Sequence, residues 1–282
     1  MKREKVLCVL LWLAAALLAS CGHASSSGKD EAEPDTLSVD SLVDADPDAD
    51  ADGLPDDAED ARMDENFDDF IYAFVRNPRL QRERVSFPLP KTDVDGGQKM
   101  LRRLNVHGEF RFMEGDYYTV FYGDASQIDE QKGRPHEMVS VERIGLEDGR
   151  VEVYDFQRRD RRWMLTAIRS QGLAENELAD FLVFYARFSS DTLFQQQCIA
   201  QPLRLSVFDP EEDDYIEGTI DARQWRSFCP EVPATVVTNV IYGQVYRPDH
   251  MVLQKCGSAS GMQELFTFQR ERGGWRLTSY EN

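Results

Sequence analysis

The 282-residue chain is short of the groups that usually carry catalysis. Its four histidines include no His-Glu-x-x-His pair, and its five cysteines include no Cys-x-x-Cys. A helical zinc site and a dithiol redox centre are therefore not encoded in any familiar spacing. No glycine-rich loop of the phosphate-cradling kind is present. The run Gly257-Ser258-Ala259-Ser260-Gly261 has Ala259 where a serine-hydrolase elbow needs its nucleophile, so it reads as a turn. Positive charge is also scarce, with 32 Lys and Arg against 51 Asp and Glu, a net of −19. Without a basic stripe to neutralise phosphates, nucleic acid is not an expected partner.

The negative charge is concentrated. Residues 29–66 hold 16 acidic residues against Lys29 and Arg62, whereas residues 67–282 are only mildly acidic. Ahead of the acidic stretch, Lys2, Arg3 and Lys5 precede an apolar run over residues 6–18. That run is too short for a helix to cross a hydrocarbon core about 30 Å thick, and it has the layout of an export signal over residues 1–21. Residues 22–62 are Ser, Asp, Ala, Gly and Pro with few apolar side chains. They cannot bury enough surface to fold, and like charges extend them, so they read as a disordered acidic tether. Within it, Asp48, Asp50, Asp52, Gly53, Asp56 and Glu59 match the ligand spacing of an EF-hand loop. No flanking helix is evident and the loop occurs once, so an Asp/Ala-rich linker accounts equally for the pattern. Calcium at this loop is the one ion the sequence suggests; no other cofactor is expected.

From residue 63 onward the chain repeats itself. Phe67, Phe70, Phe74, Gln81, Pro88 and Leu89 recur, without a gap, as Phe181, Phe184, Phe188, Gln195, Pro202 and Leu203. A second block, Phe156-Gln157-Arg158 with Trp163, Leu165 and Thr166, recurs as Phe268-Gln269-Arg270 with Trp275, Leu277 and Thr278. Two blocks in the same order at nearly the same offset indicate two copies of one unit, over residues 63–169 and 170–282. Each copy opens with phenylalanines at helical spacing. Asn77 before Pro78, and Asp191 at the matching place, are placed to cap a second short helix. Alternating strand segments follow, at 110–112, 118–122, 138–144, 151–156 and 163–168, then 215–220, 236–242, 251–256, 265–268 and 275–280. Helices followed by antiparallel strands with one apolar face make an α+β layer arrangement.

Three resemblances follow from these residues. Leu18-Ala19-Ser20-Cys21-Gly22 resembles a bacterial lipobox, which implies lipid on Cys21 and a membrane partner through that lipid. Several acyl chains, at about 0.8 kcal/mol per buried CH₂, would hold the chain at a membrane. The helix-then-sheet order is similar to the cystatin-like, nuclear-transport-factor-2-like fold, in which a curved sheet wraps an N-terminal helical pair and can leave a conical pocket. Residues 63–282, with the lipobox and the Phe-Gln-Arg…Trp-x-Leu-Thr hairpin, also resemble a family of uncharacterised Bacteroidetes lipoproteins. The resemblance implies an outer-membrane lipoprotein, periplasmic or surface-exposed, and brings no mechanism.

Three functions are compatible with this reading. The first is a lipid-anchored, non-enzymatic protein that binds a small molecule or an envelope protein. Tyr122, Trp163, Tyr242 and Trp275 are its candidate ligand contacts, since such rings serve both strand packing and binding mouths. The second is a pocket acid–base enzyme of the SnoaL or ketosteroid-isomerase kind, which needs His136 or His250, or Asp116 or Asp155, in a cavity. The third is a structural or assembly part. His136 and His250 each precede a Met-Val strand, and a solvated strand-entry position explains both without chemistry. Cys198, Cys229 and Cys256 allow at most one disulfide, and the spacing does not choose the pair.

Overall fold

In the computed structural model, residues 62–102, 117–132, 134–228, 230–257 and 263–282 are described. Residues from Ala58 to Asn282 form one unit. The export signal, Cys21 and the calcium-like loop lie outside the described residues, as do His107, the strand segment expected at 110–112, Asp116 and Cys229. Among the described residues no helix is long and apolar enough to cross a membrane.

The first copy opens with α1 (Phe67–Arg76) and α2 (Pro78–Glu83). The second opens with α4 (Ala179–Ser190) and α5 (Thr192–Gln197). As the caps predict, Asn77 Oδ1 accepts from the amides of Arg79 and Leu80, and Asp191 Oδ1 from those of Leu193 and Phe194. Each first helix lays its phenylalanines on one strand residue. Phe67, Phe70 and Phe74 meet Phe156 at 5.4, 5.8 and 5.6 Å between ring centroids, all edge-on. Phe181, Phe184 and Phe188 meet Phe268 at 5.3, 6.0 and 5.3 Å in the same manner. Trp163 stands edge-on to Phe67 at 5.0 Å, and Trp275 to Phe181 at 5.1 Å. Burial of each ring stabilises by about 1.5–3 kcal/mol, and edge-on pairing adds about 0.5–1.5.

Among the described residues, twelve strands make two six-stranded sheets. They are β1 (Leu89–Thr92), β2 (Gln98–Leu101), β3 (Tyr117–Tyr122), β4 (Met138–Gly145), β5 (Arg150–Arg159), β6 (Arg162–Gly172), β7 (Ile199–Asp209), β8 (Asp214–Ile220), β9 (Val236–Ile241), β10 (His250–Gly257), β11 (Gln263–Glu271) and β12 (Gly274–Glu281). One sheet runs β2-β1-β6-β5-β4-β9 and the other β8-β7-β12-β11-β10-β3, the same order of equivalent strands. All neighbours are antiparallel except β1 with β6 and β7 with β12. Both sheets carry a register shift at the phenylalanine hub, after Asp155 and after Thr267. The repeated threonines hold it: Thr166 donates to the Asp155 carbonyl at 3.0 Å and Thr278 to the Thr267 carbonyl at 3.2 Å. A bulge of this kind bends a strand and increases its twist, which curves the sheet around its helices.

The last strand of each sheet comes from the other copy. β9 pairs with β4, Glu142 facing Asn239, and β3 pairs with β10, Gln254 facing Val120. Where β3 and β9 pass, Thr119 and Thr238 bond reciprocally. Each backbone amide donates to the other's Oγ1, at 2.7 and 2.8 Å, and each hydroxyl donates to the other's carbonyl, at 2.6 and 2.9 Å. The cores are shared accordingly. Val240 and Val252 enter the first copy's core, and Phe121, Ile144, Val151 and Val153 the second's. The boundary placed after residue 169 falls inside β6, which continues to Gly172 before a single 3-10 turn, Leu173–Glu175.

Two short helices went unread in the sequence, α3 (Ser126–Lys132) and α6 (Ala222–Phe228). Reciprocal caps start both. Gln127 Oε1 accepts from the Gly123 and Asp124 amides while Asp124 Oδ1 takes that of Ser126. Asp221 and Gln224 exchange amide-to-side-chain bonds at 2.9 and 3.0 Å. β7 was also missed, because Pro202 interrupts its alternation.

A candidate ligand cavity in the first copy

Asn66 starts α1 by accepting the Asp68 amide at 3.0 Å, which turns Phe67 into the core and leaves Asp68 beside it. Strand alternation on β3 sends Tyr118, Val120 and Tyr122 to one side, and Phe121 to the second copy's core. Between these elements lies a cavity of about 230 Å³. Phe67, Asp68, Tyr118, Tyr122, Trp163 and Tyr242 form much of its wall, with Gln131 and His136 from α3 and the loop after it, and Gln254 and Cys256 from β10. Glu65 and Arg134 also border it, both exposed. The site thus draws on both copies, because β9 delivers Tyr242 to the first.

The Tyr242 hydroxyl donates to the Asp68 carboxylate. Burial pushes the Tyr118, Tyr122 and Tyr242 hydroxyls well above the usual phenol range, and the Asp68 charge pushes them further. The three phenols therefore stay protonated, as neutral donors around one carboxylate. The His136 ring lies 5.1 Å from that of Tyr242, and its Nε2 donates to the Gln131 carbonyl at 3.1 Å. Trp163 is 1% exposed, and its Nε1 is buried without a hydrogen-bond partner. Such a donor typically costs about 1–3 kcal/mol.

Of the residues singled out in the sequence, Tyr122, Trp163, Tyr242 and His136 meet in this cavity. Trp275 and His250 do not line it. Trp275 Nε1 donates to Asp180 at 3.2 Å, and His250 Nδ1 to the Gly123 carbonyl at 2.8 Å. Asp155 is held instead by Arg169 at 2.8 and 2.9 Å and by Ser140 at 2.8 Å. Cys198 and Cys256 are not bridged to one another. No group of three or more His, Cys, Asp or Glu among the described residues could hold a metal ion. Asp68 and Tyr118 were missed as site residues. Asp68 reads locally as a helix-dipole charge; the signal lay in the repeat, where the equivalent position is Leu182, with no exposure at all.

Helices packed on a bulged sheet with a pocket at their junction define a nuclear-transport-factor-2-like protein. The crystal structure of an NTF2-like protein from Bacteroides fragilis NCTC 9343 is similar at 35% identity and a TM-score of 0.71, covering 78% of this chain and 96% of that one. A family model described as a domain of unknown function, DUF4348, matches residues 47–282, and the chain belongs to that family. No curated protein matches it.

Proposed function

We propose that this is a lipid-anchored cell-envelope protein that binds a small molecule in the first copy's cavity, the second copy serving as its structural partner. One observation carries the binding reading: a carboxylate and two neutral phenols of the first copy, with a third phenol lent by the second, surround open space, and the carboxylate stands where the repeat has a fully buried leucine. Concave sites with a few convergent polar groups among aromatic walls are the usual form of a ligand pocket. The anchor rests on the sequence around Cys21 and on the acidic tether. The mature protein is purified from cell extract and analysed by native mass spectrometry. A retained small molecule, lost in Asp68→Leu with Tyr242→Phe, is the expected result; the same spectrum from both forms removes the binding reading. Radiolabelled fatty acid should enter the wild type and not Cys21→Ser.

A second reading is favoured by the contiguity of Asp68, Tyr242 and His136. A carboxylate bonded to a phenol that packs on an imidazole could move a proton to or from a bound carbon acid. A turnover assay on the captured molecule separates the two: a binder returns it unchanged.

A further inference from the structure

Granting the cavity as a ligand site, its wall chemistry selects by charge. Asp68 sits in the first turn of α1, where the helix dipole supports a carboxylate, and the Tyr242 hydroxyl bonds it in place. The phenols beside it stay neutral, so they add ring faces and dipoles without charge. Phe67 and Trp163 add further aromatic surface to the wall. Among the described residues, the basic side chains at the cavity are Arg134, which is exposed and pairs with Glu130 at 3.6 Å, and His136, which bonds the Gln131 carbonyl at 3.1 Å and lies against the Tyr242 ring, while Glu65 adds a further negative charge. An anion entering this space meets the Asp68 carboxylate and is repelled. A positive group meets a carboxylate and several ring faces, the arrangement that attracts ammonium groups.

We infer that the cavity of the first copy takes a small organic cation, a protonated or quaternary amine, held by Asp68 and the rings of Tyr118, Tyr122 and Tyr242. The second copy supplies no such site, because Leu182 stands in place of the carboxylate.

Three probes that share a trimethyl head test this by calorimetric titration of the purified mature protein: choline, its uncharged isostere with carbon in place of the ammonium nitrogen, and the anion pivalate. Choline should bind about tenfold or more tightly than the isostere, the size expected of a desolvated cation–ring contact with a carboxylate nearby. Asp68→Asn keeps an acceptor for Tyr242 and should abolish that preference, bringing the affinities for choline and the isostere together. Tyr118→Leu should weaken choline more than the isostere. If the isostere or pivalate binds as well as choline, the charge selection is wrong and the cavity remains a binding site. Persistence of the preference in Asp68→Asn overturns the charge selection equally. If none of the three binds to protein with native circular dichroism, both this inference and the binding reading fall.

Discussion

Asp64 and Arg84 of the first copy form a buried ion pair at 2.8 Å, and the same places in the second copy hold Leu178 and Cys198. Asp68 becomes Leu182, Glu142 becomes Gln254, and Asn66 becomes Asp180, which accepts the Trp275 indole that its counterpart leaves without a partner. The phenylalanine stacks, by contrast, agree in their centroid distances to within a few tenths of an ångström. Packing was retained in both halves, and polarity diverged, in part at the cavity wall, where Asn66, Asp68 and Trp163 stand. Desolvated charge is costly unless paired, and the Arg84–Asp64 pair, at 2% and 4% exposure, is more deeply buried than Lys255–Glu264 of the second copy, at 11% and 15%.

The comparison makes quantitative demands, tested by denaturant unfolding. Phe156→Ala and Phe268→Ala remove the hub each stack is built on, and each should cost about 4–5 kcal/mol. Equal values support equivalence; a difference much beyond about 1 kcal/mol would mean the halves are not energetically alike. Arg84→Met leaves Asp64 buried beside an apolar chain and should cost about 3 kcal/mol. Adding Asp64→Leu, the second copy's solution, should restore part of that loss. Restoration stays incomplete because Asp64 Oδ1 also accepts the Trp163 amide at 2.9 Å.

Glu142 gives the smallest effect. Burial raises its pKa, partly offset by the amides of Asn239 and Asn176 at 3.1 and 2.8 Å. Both asparagine oxygens are engaged, by the Phe121 and Leu178 amides, so neither side chain can turn over. Glu142→Gln would set an amide donor against one of them and should cost about 1–2 kcal/mol. A carboxyl whose folded pKa is raised stabilises most below its unfolded value and loses that contribution as pH rises through the folded one. The melting-temperature gap between wild type and Glu142→Gln should therefore be widest in acid and shrink toward neutrality.

Much of this architecture was readable residue by residue. Helical spacing of Phe67, Phe70 and Phe74 gave α1, and Asn77 and Asp191 gave the second helices, because these signals are local. The crossing of β3 and β9 was not readable. Alternation in residues 117–122 states which side chains point inward, but the edges of β4 and β10 are equivalent, and nothing local says which one the strand joins. The cavity was half readable: Tyr122, Trp163, Tyr242 and His136 were singled out, yet their meeting depends on that crossing. Asp124 with Gln127, and Asp221 with Gln224, were legible capping boxes that a seven-residue helix is too short to advertise by periodicity.

The reciprocal lending of β3 and β9 decides what a cut in the connection between the halves could achieve. Cleavage after Leu173 would produce two fragments, each still clasping a ribbon that belongs to the other's chain. They would stay interlocked as a heterodimer and come apart only on melting together. Neither half, made alone, owns the edge that finishes its own sheet. The tyrosine that secures Asp68 arrives with the borrowed ribbon, so the site exists only while the loan stands.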